Sequence, residues 1–263
     1  MEKEKLQIGS CMITGDRESQ QDAMRIVQKE NVLFAAVCDG MGGMNGGERA
    51  SQEAVNVMAD LFEHSFVGEE SLFPEWLKLA FIHADTAVAD LTDEDGSALQ
   101  SGSTAVGILV TDNRLYWGSV GDSAIYYLNS AGIRRLTRMH NFNLKLDQML
   151  LDGTLTPEEA REERKCGRGE ALISFLGIGG LPVIDLGNGA LSMEPGDELI
   201  LASDGLYKSL SIPQIQAVVQ ESGGNMKLAA ERLCREAWRL GEMKQDNTTV
   251  IAIRYGERQE ENA

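Results

Sequence analysis

The predicted strands of this 263-residue chain fall into two main groups, with two helical patterns between them. Short apolar runs bounded by turn-forming residues predict strands at about residues 6–13, 24–28, 31–38, 104–110, 114–120, 123–128, 191–193, 198–202 and 248–255. Periodic apolar patterns predict helices at about 48–64, 72–91, 213–220 and 226–240. This order favours stacked β-sheets covered by helices over alternating βαβ units.

A tight connection joins the predicted strands at 104–110 and 114–120. Its residues are Thr111-Asp112-Asn113, and Asp and Asn are common turn formers. Because so short a connection joins neighbouring strands as a hairpin, the two strands are predicted to pair antiparallel.

The segment at about 138–170 is polar and weakly patterned apart from one short helix. Thr156 can cap that helix, Pro157 suits its first turn, and Glu159 completes a capping box. We interpret the segment as a flap over one end of a single domain that spans residues 1–263.

The helical pattern at 72–91 places a histidine on an apolar stripe. Leu72, Trp76, Leu79 and His83 recur at steps of three and four residues. We therefore predict that His83 is buried beside Trp76 as a structural residue.

The chain is strongly acidic, with 41 acidic and 24 basic residues and a formal net charge of -17. Such a surface repels phosphate backbones and anionic lipid headgroups, so nucleic acid and membranes are not expected partners. If the substrate is an anion, metal ions or an arginine at the site must overcome this electrostatic repulsion.

The four cysteines, Cys11, Cys38, Cys166 and Cys234, are widely spaced and form no C-x-x-C pair. This spacing argues against zinc and against a secreted disulfide framework, so we expect free thiols, with Cys234 in the core. The chain starts without the apolar run of a signal peptide and has no apolar stretch of about 20 residues, so a cytoplasmic protein is expected.

Three aspartates, Asp39, Asp204 and Asp246, stand at the ends of apolar runs. Carboxylates that end buried strands can converge from distant segments, and their oxygens suit hard divalent cations. The alternative is that Asp39-Gly40 and Asp204-Gly205 are simple turn formers. Both dipeptides, however, lead into helical segments, whereas a hairpin turn would lead into a strand.

Seven short segments match the motifs of one enzyme family in the same order. They are Arg17-Glu18-Ser19-Gln20-Gln21-Asp22, Val37 to Gly43, Gly47-Glu48-Arg49-Ala50-Ser51, Ser101-Gly102-Ser103-Thr104-Ala105, Gly121-Asp122-Ser123, Ser203-Asp204-Gly205-Leu206 and Gln245-Asp246-Asn247. Over nearly its whole length the chain resembles the PP2C, or metal-dependent PPM, protein phosphatases of bacterial type. The resemblance implies an α+β fold, a four-layer α-β-β-α sandwich in which helices flank two central antiparallel β-sheets.

The resemblance also implies a dinuclear Mn²⁺ or Mg²⁺ centre at one end of the sandwich. By position, Asp39 would bridge both ions, Gly40 would offer its carbonyl to the second, and Asp204 and Asp246 would hold the first. Asp22 would belong to the shell of the second ion, partly through water.

Arg17 is the residue that the resemblance assigns to the substrate phosphate, which its planar fork would clamp. The implied reaction is hydrolysis of phosphoserine and phosphothreonine in proteins by direct attack of a metal-bridging hydroxide. The chain lacks a Cys-x5-Arg nucleophile loop, as expected if no covalent intermediate forms.

Two departures from the family pattern concern metal binding. Gln21 stands where many members have glutamate. Lys208 stands where an acid commonly joins Asp122 in holding a third metal, so a third ion is uncertain. We hypothesise that the Lys208 ammonium pairs with Asp122 in place of that ion; the alternative is a solvated lysine.

His140 is a candidate general acid for the leaving group. It lies at the base of the flap, however, and lacks the preceding acid that relatives usually show. Met41 stands where eukaryotic relatives place a histidine. Protonation of the leaving group is therefore more plausibly assigned to a metal-bound water.

Other functions remain open at this stage. A PP2C-like pseudo-phosphatase or regulatory binding module would keep the fold without turnover, but it would be expected to have lost part of the metal set. The expected substrates are phosphoproteins, set by a cognate Ser/Thr kinase, and the chain is expected to be a monomer. The basic residues Arg161, Arg164, Lys165 and Arg168 could attract acidic phosphopeptides, but we favour a solvated face paired with nearby glutamates.

Overall fold

The computed structural model describes residues 6–43, 46–241 and 244–256. The strands within these ranges are β1 (Gln7–Ile13), β2 (Asp22–Lys29), β3 (Val32–Gly42), β4 (Ser101–Ser103), β5 (Ala105–Thr111), β6 (Arg114–Val120), β7 (Ala124–Asn129), β8 (Gly132–Arg135), β9 (Asp185–Leu186), β10 (Leu191–Ser192), β11 (Glu198–Ala202) and β12 (Thr248–Arg254). The α-helices are α1 (Gly46–Ser65), α2 (Phe73–Ala89), α3 (Phe142–Leu151), α4 (Pro157–Lys165), α5 (Asp204–Tyr207), α6 (Ile212–Glu221) and α7 (Met226–Leu240). Each predicted strand and helix is present, with its ends shifted by a few residues at most.

The strands form two antiparallel sheets. The first has the order β1-β12-β11-β7-β8, and the second has the order β10-β6-β5-β3-β2, with β4 beside β3 and β9 beside β6. Thr111 pairs with Arg114 across β5 and β6, so Asp112 and Asn113 form the turn, and the φ of 47° at Asp112 suits a tight hairpin. The predicted antiparallel hairpin is confirmed.

Alternate side chains of β3 enter two different cores. Leu33 and Val37 face the other sheet and share a core with Ile251, whereas Phe34 and Ala36 face the core formed with α1 and α2. Burying both faces explains why this segment is a continuous apolar run, and each large side chain contributes about 1.5–3 kcal/mol by burial. A third core lies between the first sheet and helices α6 and α7. The four-layer α-β-β-α sandwich is thus confirmed.

Helix α2 buries a different stripe from the predicted one. Phe73, Leu77 and Phe81 are buried, whereas Leu79 and His83 are exposed. The face with two phenylalanines removes more apolar surface from water, which decides how the helix rotates. The prediction that His83 is buried is therefore wrong.

The described segment at 138–170 contains two α-helices and one short 3-10 helix, Arg168–Glu170, although only one helix was predicted. Helix α4 has the predicted capping box: Thr156 Oγ1 accepts the Glu159 N–H at 3.3 Å, and a Glu159 carboxylate oxygen accepts the Thr156 N–H at 2.9 Å. Helix α3 buries only Leu146, so it leaves almost no periodic apolar signal in the sequence.

Three short strands, β4, β8 and β9, were not predicted. They are two to four residues long and consist largely of Ser, Gly, Arg and Asp residues. Such segments become strands because a neighbouring strand offers hydrogen-bond partners, which a local pattern does not record.

All four cysteines are free thiols, as expected, and Cys234 is fully buried in the core against the first sheet. In the part of the chain that the structure describes, no helix combines the length and the apolar character needed to span a bilayer.

Candidate metal centre

The strand registers bring four aspartates to one end of the sandwich. Asp22 opens β2 and lies opposite Asp39 of β3. Asp204 follows β11 and Asp246 precedes β12, and these antiparallel strands place the end of the first beside the start of the second. A hydrogen bond of 2.7 Å from Ser203 Oγ to Asp22 Oδ2 joins the two sheets at this point.

Asp22 is buried at the junction of the sheets. Its Oδ2 accepts the bond from Ser203, but its Oδ1 has no hydrogen-bond partner within the described ranges. Burial raises the pKa of Asp22 to about 7, although the hydroxyls of Ser203 and Thr249 oppose the shift. An unpartnered buried carboxylate oxygen is costly, and a hard cation is a partner that would satisfy it.

Asp39 is fixed through its backbone, which leaves its carboxylate available. Its N–H donates to Thr104 Oγ1 at 3.2 Å, and its carbonyl accepts from the Thr104 N–H at 2.8 Å and from Ser103 Oγ at 3.1 Å. Part of the residue remains accessible to solvent. Burial, followed by the neighbouring Asp22 and Asp204, raises the pKa of Asp39 well above its ordinary value.

Two cations face the other two carboxylates. Lys208 donates a hydrogen bond to Asp204, one turn earlier, and Arg17 Nη2 donates to Asp246 Oδ2 at 2.8 Å. Burial acts to lower the pKa of Lys208, but Asp204 and the aspartates beyond it outweigh burial and raise it. The bond to Asp246 raises the pKa of Arg17. Both side chains therefore stay charged.

Lys208 contacts Asp204 instead of the expected Asp122, because a spacing of four residues puts Lys208 beside Asp204 on a helical turn. Asp122 is still within electrostatic reach of the ammonium. The Asp122 carbonyl accepts from the Tyr207 hydroxyl at 3.1 Å and from Arg135 Nη2 at 2.6 Å. Burial and then Asp204 raise the pKa of the Asp122 carboxyl.

Two glycines follow site aspartates where the backbone is tightly packed. A Cβ at Gly40 would lie 1.9 Å from the carbonyl oxygen of Gly47, and a Cβ at Gly205 would lie 2.1 Å from that of Asn247. Gly40 lies in a strand and Gly205 in a helix, so neither belongs to a hairpin turn. Close backbone approach accounts for both Asp-Gly pairs, and the turn-former alternative is wrong.

Asn247 is a site residue to which the sequence analysis gave no role. Its Oδ1 accepts the Gln21 N–H at 2.7 Å, and its Nδ2 donates to the carbonyls of Thr14 at 2.8 Å and Ser19 at 3.0 Å. These bonds fasten the loop that carries Arg17. The sequence feature that could have identified Asn247 is its position directly after Asp246 in a matched family motif.

His140 is enclosed by protein. Its Nδ1 accepts the Gly121 N–H at 3.1 Å, and its Nε2 has no partner among the residues described. Burial lowers the pKa of His140 to about 4, so the ring is neutral near pH 7. A buried neutral imidazole is poorly suited to protonate a leaving group, and a structural role is favoured.

The basic residues of α4 and the segment after it are mostly paired. Lys165 contacts Glu162, Arg168 contacts Glu163, and Arg164 contacts Asp147. The solvated-face interpretation therefore accounts for most of this patch.

The donor set fits hard divalent cations. Asp22, Asp39, Asp204 and Asp246 supply carboxylate oxygens, the ligands that Mg²⁺ and Mn²⁺ prefer, and one buried oxygen lacks any other partner. The site oxygens are more widely spaced than in a closed cage for one ion. Within the described residues, the group of three ligand atoms that all lie within 4.8 Å of one another belongs to Asp60, Glu63 and His64 on the exposed face of α1.

Comparison with known proteins gives matches along most of the chain. The family model "Protein phosphatase 2C" matches residues 14–227. Protein phosphatase PhpP of Streptococcus pneumoniae is 27% identical over 244 residues, which are 92% of this chain and 94% of that protein.

Comparison with solved structures finds proteins of the same kind. The serine/threonine phosphatase PstP/Ppp of Mycobacterium tuberculosis has a TM-score of 0.75 at 26% identity, covering 96% of this chain and 99% of that one. A structure of the PstP catalytic domain in complex with two manganese ions has a TM-score of 0.72, with the same identity and coverage. This chain belongs to the protein phosphatase 2C family.

Proposed function

We propose that this protein is a Mn²⁺- or Mg²⁺-dependent phosphatase that hydrolyses phosphoserine and phosphothreonine in proteins. The observation that carries the proposal is the convergence of carboxylates from both sheets around Asp39 and the unpartnered Oδ1 of Asp22. A relative named protein phosphatase and solved structures named serine/threonine phosphatases, one of them with two manganese ions, support it.

Two ions are assigned to the centre. Asp39 would contact both, Asp204 and Asp246 the first, and Asp22 and the Gly40 carbonyl the second. When bound, the cations would lower the pKa of a water nucleophile and neutralise charge on the phosphoryl oxygens.

The protein's own residues hold this arrangement rigid. Thr104 and Ser103 fix the backbone of Asp39, and Ser203 orients Asp22 through its 2.7 Å bond. Positioned ligands need no reorganisation during the reaction, which is the main source of electrostatic catalysis.

Arg17 is proposed to bind the substrate phosphate. Its side chain is 60% exposed and is anchored beside Asp246, so its free N–H groups can point toward a ligand at the centre. A guanidinium can donate two parallel hydrogen bonds to a phosphate, which orients the group as well as neutralising it.

A third ion is not part of the proposal. The Lys208 ammonium pairs with Asp204 and lies in the field of Asp122, so it would repel a cation that approached between these carboxylates. Lys208 is proposed to provide there the positive charge that an additional ion would bring.

The remaining assignments are proposals as well. Residues 1–263 would form one domain, with helices α3 and α4 in a flap at about 138–170. The substrates would be products of a cognate Ser/Thr kinase, and the protein would act as a cytoplasmic monomer, a location that suits its free cysteines.

The test measures hydrolysis of a phosphothreonine peptide by the wild-type protein with Mn²⁺, by the wild-type protein with EDTA, and by Asp39→Asn with Mn²⁺. Turnover with Mn²⁺ is expected, and EDTA or Asp39→Asn should abolish it. Asp112→Asn is the matched control, because it removes an exposed carboxylate from a turn whose positive φ suits asparagine. Turnover in EDTA or full activity of Asp39→Asn would refute the mechanism, and no turnover with Mn²⁺ would favour the pseudo-phosphatase.

A further inference from the structure

A pocket of about 370 Å³ opens directly beside the candidate metal centre. Its described lining residues lie in and just after α5, at the end of α7 and shortly before β12, and they include Gly205, Lys208, Gly241, Lys244, Gln245 and Asp246. Asp246 is at once a wall of the pocket and a proposed metal ligand, so a group bound here would lie next to the substrate phosphate.

The charged groups of the pocket differ in how they are engaged. Asp246 is paired with Arg17, and Lys208 with Asp204. The exposed ammonium of Lys244, in contrast, makes no hydrogen bond or ion pair with any described residue. Two lysines thus line this pocket, and one is uncommitted, on a chain of net charge -17.

The wall formed by Gln245 offers no competing recognition group. Its Nε2 donates to the Gly205 carbonyl at 2.8 Å and to Thr248 Oγ1 at 2.7 Å, and its Oε1 accepts from Ser209 Oγ at 2.5 Å. With this amide engaged, Asp246 paired with Arg17 and Lys208 paired with Asp204, Lys244 carries the charge in the pocket that no described residue pairs.

We propose that this pocket binds an anionic side chain of the phosphoprotein substrate, one or two residues from the phosphorylated position. The inference rests on the proposed function. Adjacent residues of an extended chain are about 3.8 Å apart, so a neighbouring side chain can reach the pocket while the phosphate is at the centre. Ammonium groups bind a carboxylate or a second phosphate as compact point charges.

The size of the effect follows from the exposure of Lys244. A solvent-exposed ion pair favours the acidic peptide by about 2- to 5-fold, and salt screens it because both charges face water. The preference should therefore be measured at low ionic strength and should shrink as salt is added.

The experiment compares kcat/KM for phosphothreonine peptides that differ only in the residues flanking the phosphothreonine, which are glutamate, alanine, lysine or a second phosphorylated residue. Wild-type protein should prefer the glutamate peptide to the alanine peptide by about 2- to 5-fold. Lys244→Ala should bring this ratio close to one, and Lys244→Glu should favour the lysine peptide. The doubly phosphorylated peptide should also be preferred to the alanine peptide, and Lys244→Ala should remove that preference.

Lys227→Ala is the matched control, because it removes an exposed lysine from the first turn of α7, about 20 Å along the helix from its end near the pocket. It should keep the preference for glutamate. Turnover of all peptides at equal rates, or a preference that Lys244→Ala leaves intact, would overturn the inference while the phosphatase assignment stands. No turnover of any peptide with Mn²⁺ would overturn both.

Discussion

Arg17 Nη2 lies 2.8 Å from Asp246 Oδ2, so the loop before β2 is tied to the residue that leads into β12. The two residues are far apart in sequence, and both belong to the candidate centre. Because Asn247 fastens the same loop through three hydrogen bonds, the guanidinium is held at the rim of the site before any substrate arrives.

Replacing Arg17 should impair recognition of phosphate. Arg17→Ala is expected to lower kcat/KM for a phosphothreonine peptide by about 10- to 100-fold. This range corresponds to the loss of one charge-assisted hydrogen bond, which is worth about 1.5–3 kcal/mol. Arg17→Lys should recover only part of it, because an ammonium lacks the planar fork. Steady-state kinetics check this, and wild-type kcat/KM in Arg17→Ala would contradict the proposed role.

Lys208 should limit the number of bound metal ions. We expect two Mn²⁺ per chain for the wild type and a third, weaker one for Lys208→Asp, because the added carboxylate joins Asp122 and the ammonium no longer repels the ion. Lys208→Met is the control that removes the charge without adding a ligand, and it should bind two. Calorimetric titration measures the stoichiometry. Two ions in Lys208→Asp, with unchanged turnover, would exclude the role given to Lys208.

His140 should make the fold sensitive to mild acid. Its pKa is about 4 when folded and close to 6.5 when unfolded, so the unfolded state binds more protons between these values. Stability should be undiminished above pH 6.5 and fall by up to about 3 kcal/mol as the pH drops toward 4.

The comparison protein is His140→Asn, whose amide oxygen can replace Nδ1 as acceptor for the Gly121 N–H. Free energies of unfolding in urea from pH 4.5 to 7.5 should show a shallower slope for His140→Asn. Equal slopes in the two proteins would mean that His140 does not titrate as described.

Gly40 should tolerate no side chain. In Gly40→Ala the new Cβ would meet the Gly47 carbonyl oxygen at 1.9 Å, and backbone atoms cannot move aside as the end of a flexible side chain can. Destabilisation of about 3 kcal/mol or more is expected, at the upper end for overpacking. Gly43→Ala is the control, since a Cβ there would have no atom of the described residues within 4 Å apart from its chain neighbours. Thermal unfolding of the two variants distinguishes them, and similar melting temperatures would refute the packing argument.

The strands and the site aspartates could be predicted because each of them leaves a local signal. Asp39, Asp204 and Asp246 each stand at the boundary of an apolar run. For Asp204 and Asp246 that boundary lies close to a strand end, whereas β3 continues past Asp39 to Gly42 and pairs there with β4. Asp22 and Arg17 were identified only by their positions in the matched family motifs, because no hydrophobic pattern marks either residue.

Other features depended on competition between local alternatives. Helix α2 has two apolar stripes, and the one through Phe73 and Phe81 packs inward, which exposes His83. Lys208 had two acidic neighbours, and the turn of α5 brings it to Asp204 and not to Asp122. For α2 the outcome follows from how the helix is rotated against the sheet, which the spacing of residues alone does not determine. For Lys208 it follows from the helical turn at Asp204–Tyr207, which brings residues four apart together.

The route of the chain through the candidate centre has a consequence for biosynthesis. Asp22 belongs to β2, whereas Asp246 lies two residues before β12, which pairs with β1 and β11. A growing polypeptide that has not yet reached Asp246 and β12 lacks both this proposed metal ligand and the strand that positions it. The protein would therefore have no phosphatase activity while the ribosome is making it, and it would become active only when β12 pairs with β1 and β11.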